Sequence, residues 1–478
     1  MATEISKIHL PTEIWASVFI HLGLNCLRHS ALTCSSLRWI ARPYLYQNLT
    51  IFCEYPWQAQ SIQAFQSARR KGVSRPLERL RFFTSPDIAP LVRKCSIQFQ
   101  LWPDIPLEPV LNFLCENLHY FVNLRRLEFH NILISSKRVE NISTLPSLQS
   151  LVLIDCKLPQ IEPVNSTIST LSLTVSQRDY GALMAPPRWL SLVDSEKLLE
   201  LQLVTTWATL DTLSEFVDTR KVFPHLHILR LNRDGKVIHS PSLSAFVSQC
   251  PALSHLHFLR KPEPDRPSEV TMLSKDFCYS WSGLSVYDGP HCLITSFHGE
   301  QLRNLRRIRL FGDRWDGTCD LIGIREDLWH LHHGAPHLES LHLRAFPTSE
   351  MCTMIANLFP SLRSLAFSLP SASGNAQDPM LALTREPFLE SLIRMVLPPN
   401  LKNLLVLGMI FSDQTEGTQV IYALAGKYTS LEHIFLYFPE DFWMTWSITP
   451  AMQSCRIPSI IHRGLSITTQ FEIPSLWV

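Results

Sequence analysis

The chain has 478 residues, of which 46% are apolar and 18% charged, and its 43 basic side chains nearly balance its 42 acidic ones. A disordered polyanion and a basic tail of the histone kind both need few apolar residues and a lopsided charge, so this composition excludes them. The 33 prolines against 16 glycines favour many regular elements joined by short, stiff connections.

The chain carries no sign of export or membrane insertion. Its first ten residues lack the basic and apolar segments of a signal peptide, and its longest apolar region, residues 392–411, is interrupted by Arg394 and Lys402. The 12 cysteines form no Cys-x-x-Cys pair, which favours free thiols in a reducing compartment. We therefore expect a cytoplasmic or nuclear protein with no cofactor, no metal, and neither a membrane nor a nucleic acid as partner.

Residues 1–50 are predicted to form a small helical head. Pro11 suits the start of a first helix, because the N–H that it lacks would be unpaired there. Ile14, Val18 and Leu22 follow at i, i+4 and i+8, which predicts one apolar stripe along that helix.

Two further short helices should complete the head. Gly23 is predicted to end the first helix, Asn25 to cap the second, and Ser35 or Ser36 to cap the third, which Pro43 should stop. About forty residues in three short helices cannot bury a self-sufficient core, so we expect the head to pack on a neighbour or a partner.

This stretch resembles the F-box, whose pattern opens with Leu-Pro-x-Glu-Ile and continues through spaced aliphatic residues to a cysteine near the third helix. The resemblance implies docking on a Skp-type adaptor of a cullin-RING ubiquitin ligase. The positions that it assigns to adaptor binding are Leu10, Pro11, Ile14, Val18, Leu22, Leu27, Leu32, Cys34 and Leu37.

Behind the head, the pattern Leu-x-x-Leu-x-Leu recurs with conservative substitutions. Its copies begin at Leu77, Leu124, Leu148, Ile168, Leu198, Leu226, Leu253, Leu305, Leu338, Leu362, Leu401 and Leu431, with a degenerate copy near Leu284. A proline stands two residues before the first leucine at Pro146, Pro224, Pro251, Pro336, Pro360 and Pro399. Because a helix cannot run through such a proline, each repeat is predicted to be a helix, a proline stop and a short strand.

Leucines at the fourth and sixth positions of the pattern share one face of a strand and must be buried. One strand–helix unit cannot bury them alone, so stacked copies should form a continuous core with strands on the concave side and helices outside. The copy at residues 148–158 has the full Leu-x-x-Leu-x-Leu-x-x-Cys-x-Leu form and resembles the leucine-rich repeat family.

The predicted fold is therefore α/β, with a three-helix F-box followed by an irregular leucine-rich-repeat horseshoe. The combination resembles fungal-type F-box proteins with a C-terminal leucine-rich-repeat-like domain. We place the head at residues 1–50, irregular connecting repeats at 51–123, the repeat array at 124–438 and an aromatic-rich capping tail at 439–478.

Side chains that alternate with the buried leucines should line the open face of the array. In its middle they are mostly basic, namely Arg230, His255, His257, Arg307, Arg309 and His342. If stacking aligns them, they form a basic band that can bind an acidic or phosphorylated substrate segment. The alternative is an ordinary solvated strand face with counter-charges from the loops.

The densest group of candidate metal ligands is a run of four histidines, His330, His332, His333 and His337. Gly334 and Pro336 interrupt the helix that ligation at i and i+4 would need, so we expect a solvated helix end instead.

These features predict a non-enzymatic substrate-recognition subunit of a Skp-cullin-F-box ubiquitin ligase that holds an unidentified protein substrate. Its contribution would be proximity, because a bound substrate is held at high effective concentration near the conjugating enzyme. One alternative is a repeat scaffold for protein–protein interaction whose head never meets a ligase. Another, of a different class, is a hydrolase that uses the histidine run.

Overall fold

The chain, seen here as a computed structural model, folds into two compact units, Met1–His225 and Leu226–Val478. The structure describes residues 11–53, 62–99, 108–158, 162–175, 188–232, 241–259, 283–297, 299–312, 321–345, 347–368, 394–407, 414–438, 442–450 and 456–465.

The first unit opens with three helices, α1 (Thr12–Phe19), α2 (Leu24–Thr33) and α3 (Ser35–Tyr46). Their caps differ from those predicted. Gly23 rather than Asn25 precedes α2, and Cys34 caps α3 by accepting the Leu37 N–H on its Sγ at 3.4 Å. Pro43 lies inside α3 instead of ending it. A proline removes a single helical hydrogen bond, and the helix continues because Tyr44 and Leu45 beyond it pack against the core of the head.

The three helices enclose a small core of their own, which the sequence did not predict. Its buried members are Phe19, Leu27, Ala31, Ile40 and Ala41, and the side chains packed around them include Trp15, Leu22, Leu37, Tyr44 and Leu45. Ile14 and Val18, two members of the predicted apolar stripe of α1, point to solvent, while Phe19 of the same helix is buried. Both sides of α1 are apolar, and the side with the larger aromatic rings faces inward because it buries more area.

Within the described ranges, the first unit continues with six parallel strands in chain order. Its further elements are β1 (Asn48–Cys53), α4 (Ile62–Phe83), β2 (Lys94–Phe99), α5 (Glu108–Asn117), β3 (Arg126–His130), α6 (Ser136–Ser143), β4 (Ser150–Ile154), β5 (Thr170–Thr174), β6 (Glu200–Leu203) and α7 (Thr206–Thr219). Short 3-10 helices cover Ala89–Leu91, Leu118–Tyr120 and Trp189–Leu192.

The second unit repeats this plan. Its elements are β7 (Ile228–Asn232), α8 (Pro241–Ser248), β8 (His255–Leu259), β9 (Val286–Pro290), a 3-10 helix at His291–Ser296, α9 (Gly299–Leu302), β10 (Arg307–Phe311), α10 (Leu321–Gly334), β11 (Ser340–Leu343), α11 (Ser349–Leu358), β12 (Ser364–Ser368), β13 (Asn403–Leu407), α12 (Gln414–Lys427), β14 (His433–Phe438), β15 (Phe442–Pro450) and β16 (Arg456–Leu465). Strands β7 to β14 are parallel, and the tail adds β15 and β16 as antiparallel strands that cover the edge of β14.

The repeat pattern sets the register of the strands in both units. Leu127, Leu151, Leu171 and Leu201 stand side by side on neighbouring strands of the first unit, and all four are buried. The equivalent row of the second unit runs Leu229, Leu256, Tyr287, Ile308, Leu341, Leu365, Leu404 and Ile434. These in-register parallel strands confirm the predicted α/β class and are consistent with a solenoid-like repeat fold.

The first predicted copy, at Leu77, is wrong, because this segment belongs to helix α4. Leu80 and Phe83 are buried there while Phe82 is exposed, which is a helical rather than a strand spacing. Two leucines three residues apart suit either structure, so the pattern alone could not separate them.

A copy that the sequence analysis missed forms β2, with Val92, Cys95 and Ile97 buried at the leucine positions.

The degenerate copy near Leu284 forms β9. Tyr287 occupies the fourth position and Gly289 the sixth, and the phenol ring extends over Gly289 into the space that a side chain at the sixth position would fill. Its Oη donates a 2.9 Å hydrogen bond to Pro290 O. A Cβ on Gly289 would touch the Tyr287 ring and lie 2.8 Å from Cδ2 of Phe258, so only glycine fits beneath the tyrosine.

The Gly289→Ala substitution should lower the free energy of unfolding by about 1–3 kcal/mol, because the added methyl group overpacks buried aromatic rings. Gly299→Ala is the matched control, since a methyl group there enters open space. Urea denaturation of both variants measures the difference. Equal stability of the two variants would contradict the packing described for β9.

Candidate binding surfaces

The outward side chains of β7 to β11 form two rows across the sheet of the second unit. One row places Arg230, His257, Asp288, Arg309 and His342 in register, and the other places Ile228, His255, Val286, Arg307 and Ser340 in register. We call the part of this surface formed by Arg230, His255, His257, Asp288, Arg307 and Arg309 the central face. The structure therefore brings together five of the six residues predicted to bind substrate.

Asp288 is a member of the central face that the sequence analysis missed. It follows from the register of the degenerate copy, which only the packing of Tyr287 reveals. Its Oδ2 lies 3.7 Å from Nδ1 of His257 and 3.7 Å from a terminal guanidinium nitrogen of Arg309. At this distance the carboxylate pairs with Arg309 without a hydrogen bond, so it lowers the local positive potential without occupying the donors of Arg309.

The cations of the central face differ in their access to solvent. Arg307 and Arg309 are exposed, and Arg307 has no ion-pair partner among the residues that the structure describes. Arg230 is half-buried, and burial lowers the pKa of its guanidinium.

The imidazole of His255 stacks on that of His257, with ring centroids 6.3 Å apart. Burial lowers the pKa of His255, and the positive charges of His257, Arg230, Arg307 and His227 lower it further. His255 is therefore a neutral hydrogen-bonding group at neutral pH.

His342 does not contribute a charge to this surface, although the sequence analysis placed it there. Its side chain is only 8% exposed and hydrogen-bonds through Nε2 to Oγ of Ser368. Burial lowers its pKa well below the ordinary value, and the charges of Arg309 and Arg344 act in the same direction. Burial therefore keeps His342 neutral.

On the open face of the first unit, the ionisable side chains of β3 lie against one another. On β3, Arg126 lies 3.4 Å from Oε2 of Glu128, whose Oε1 is 2.6 Å from Nε2 of His130. The neighbouring outward positions on β4 and β5 include Ser150, Thr170 and other uncharged residues. An excess of positive charge is thus a property of the central face and not of every strand face.

The head presents several large apolar side chains to solvent. Of the predicted adaptor-binding residues, those exposed are Pro11, Ile14, Val18, Leu32 and Cys34. Leu22 and Leu37 are half-buried against the core of the head and Leu27 is inside it, so these three stabilise the helices instead. Leu10 lies outside the described residues.

The structure adds three residues to this exposed set that the sequence analysis did not single out, namely Ile20, Leu24 and Trp39. We call these three, together with Ile14, Val18 and Leu32, the apolar head surface. Glu13 is the only carboxylate between residues 11 and 47, whereas Arg28, Arg38 and Arg42 lie in the same segment. An apolar surface with basic neighbours suits a protein partner with an apolar groove and acidic surroundings.

The histidine run does not form a converging site. In and beside α10, three of its rings bond different backbone carbonyls, His330 that of Phe297 at 2.8 Å, His332 that of Leu358 at 2.6 Å and His333 that of Trp329 at 2.8 Å. Within the described ranges, no group of three or more His, Cys, Asp or Glu side chains is placed to bind a metal ion.

Buried ionisable groups elsewhere join neighbouring elements. Glu215 of α7 accepts the N–H of Leu190 at 2.6 Å and the hydroxyl of Ser191 at 3.2 Å, and burial raises its pKa. In the second unit, Nδ1 of His291 lies 2.5 Å from Oδ2 of Asp327. Both groups link a 3-10 helix to the α-helix beside it.

The buried thiols are poor nucleophiles. Burial raises the pKa of Cys95, Cys156 and Cys352 to about 12, so these side chains stay protonated at neutral pH.

No helix within the described ranges is long and apolar enough to cross a membrane.

No family model matches the chain, and no curated protein matches it. Among solved structures, the chain is similar to a protein from Bacteroides fragilis, with 12% sequence identity and a TM-score of 0.33 over 66% of this chain and 73% of that one. We therefore infer the function from the chain's own residues.

The burial of His342 predicts a pH dependence of stability. Below about pH 6.5 the unfolded chain binds a proton at this residue while the folded chain does not, so the free energy of unfolding should fall as the pH falls. In the His342→Gln variant this slope should be shallower by up to about 1.4 kcal/mol per pH unit. Urea titrations between about pH 5 and 7 measure it, with the exposed His337→Gln as control. An unchanged slope would contradict a neutral, buried His342.

Proposed function

We propose that this protein is a substrate-recognition subunit of a Skp-cullin-F-box type ubiquitin ligase, in which the head docks on the adaptor and the repeats bind the protein substrate. The observation that carries the proposal is the apolar head surface, which remains exposed on helices that already have a core.

The core of the head explains why this surface is available for a partner. Phe19 and Leu27 are buried among the head's own helices, whereas Val18 and Leu32, on two of those helices, are 42% and 74% exposed. Large apolar side chains concentrated on one small segment are costly in water and are typical of a surface that another protein covers. Their positions overlap those that the F-box resemblance assigns to adaptor contact.

The repeats supply the second half of the proposed function. Parallel strands in register present long rows of outward side chains on a rigid sheet, which suits the recognition of an extended protein segment. In this proposal the chain performs no covalent chemistry and accelerates ubiquitin transfer by holding the substrate near the charged conjugating enzyme.

The test is co-purification of the tagged full chain with a Skp-type adaptor. The double variant Val18→Lys, Leu32→Lys should weaken the complex by about 30-fold or more, because loss of buried apolar anchors at an interface costs about 2 kcal/mol or more. Both positions lie in the last turn of their helices, where a lysine favours the helix dipole, so the head should stay folded.

The matched control is Val122→Lys, Leu133→Lys, which changes two exposed apolar side chains of the first unit that are 44% and 57% exposed and lie outside the head. This variant should retain the complex. If the native chain forms no complex with the adaptor, the head is only a cap on the first repeats and the protein is a scaffold for protein–protein interaction with no ligase role.

A further inference from the structure

We propose that the central face binds an extended, carboxylate-rich segment of a partner protein, with Arg307 and Arg309 as the principal contacts. This inference rests on the proposed function, because it names the chemistry of the substrate segment that the repeats would hold.

The charge of the central face favours an anionic segment. Among the described residues of β7 to β11, the arginines Arg230, Arg307 and Arg309 lie on the same side of the sheet as one carboxylate, Asp288. Burial and the neighbouring cations lower the pKa of His255, whose ring therefore adds hydrogen-bonding capacity without adding charge at neutral pH. Arg307 and Arg309 together have one carboxylate, Asp288, near them on these described strands, so positive charge is in excess around β10.

The geometry of β10 favours side chains that alternate along an extended chain. Arg307 and Arg309 are two residues apart on one strand, so they project from the same face about 6.6 Å apart. Carboxylates at positions i and i+2 of an extended segment repeat at the same spacing. A Glu-x-Glu segment lying along β10 can therefore place one carboxylate against each guanidinium.

The donors of both arginines are available for such contacts. Arg307 has no ion-pair partner within the described part of the chain, and Arg309 reaches Asp288 only at 3.7 Å, beyond hydrogen-bonding distance. Each guanidinium presents a planar set of N–H donors that matches a carboxylate in a bidentate arrangement.

Asp288 defines the side on which the segment lies. It stands opposite Arg309 on β9, where it would repel a carboxylate, whereas the position opposite Arg307 on β11 is the uncharged Ser340. His342, opposite Arg309 on β11, is buried and uncharged. An acidic segment is therefore directed towards the β11 side of β10.

The test measures fluorescence anisotropy of a labelled 12-residue peptide with alternating Glu and Ser, titrated with the full chain at low salt. The Arg307→Gln, Arg309→Gln variant should bind it at least tenfold more weakly than the native chain. Arg126→Gln is the matched control, because the side chain of Arg126 is 47% exposed against 46% for Arg309 but is paired with Glu128. This control and the native chain should bind equally, and a peptide with Gln in place of Glu should bind at least tenfold more weakly.

Three results would overturn the proposal. They are equal binding of the Glu and Gln peptides, an equal loss of binding in the Arg126→Gln control, and binding of a phosphoserine peptide of the same spacing without binding of the Glu peptide. Adaptor co-purification of the Arg307→Gln, Arg309→Gln variant is a separate readout. Since these residues lie outside the head, a failure of the peptide experiment leaves the adaptor complex intact and is distinguishable from a failure of the proposed function.

Binding of the acidic peptide should also strengthen as the pH falls. The titratable groups that face His255, namely His257, Arg230, Arg307 and His227, are all basic, and a bound carboxylate would offset their repulsion of a proton. Nδ1 of His255 also lies 2.9 Å from the Ser254 hydroxyl. Protonation of His255 would then favour the complex. Asp288, which lies near His257, is present in both the free and the peptide-bound protein. Because the pKa of His255 in the free protein lies below its ordinary value, affinity should rise as the pH falls from about 7 to about 5.5, a range in which Glu side chains stay ionised.

The His255→Gln variant should lose most of this rise while keeping its affinity at about pH 7. A native affinity that stays constant over the same range, or an undiminished rise in the variant, would contradict the participation of His255.

Discussion

The side-by-side burial of two aliphatic positions on each parallel strand is the constraint on which the rest of the structure depends. Leu229 and Leu231 of β7 are buried only when the equivalent residues of β8 stand beside them. The hydrogen bonds between the two strands then hold that register. Because the side-chain period of a strand is two, a register that aligns the buried residues also aligns the outward ones. The rows of the central face are therefore a consequence of how the core packs.

Strand β9 shows how the array tolerates a copy that departs from the pattern. One tyrosine ring over Gly289 fills the volume of two leucines, and the Tyr287 hydroxyl is satisfied by a backbone carbonyl. The strand keeps its register with β8 and β10, and Asp288 thereby comes to lie between His257 and Arg309. The packing of Tyr287 in the core thus places a carboxylate on the surface above it, which lowers the net positive charge of the central face.

The head differs from the repeats because its core is very small. This core leaves part of the apolar surface of the three helices exposed. Aromatic and aliphatic residues on the inner sides of three helices bury one another around Phe19, and α3 leads directly into β1. The ring of Tyr46, at the end of α3, lies 5.6 Å from that of Phe82 on α4, which attaches the head to the repeats behind it. Residues such as Leu32 and Trp39 are not needed for this packing and remain exposed.

The sequence by itself determined the α/β repeat plan. A proline before Leu-x-x-Leu-x-Leu excludes a helix there, and the alternating leucines then predict a short strand. It also identified most residues of the central face, since alternation follows directly from the strand period. It could not separate helix from strand at Leu80, or choose the inner side of α1, because both choices satisfy the local pattern. Only the tertiary structure decided these points, together with the burial of His342 and the position of Asp288, because each depends on which distant residues compete for the same volume.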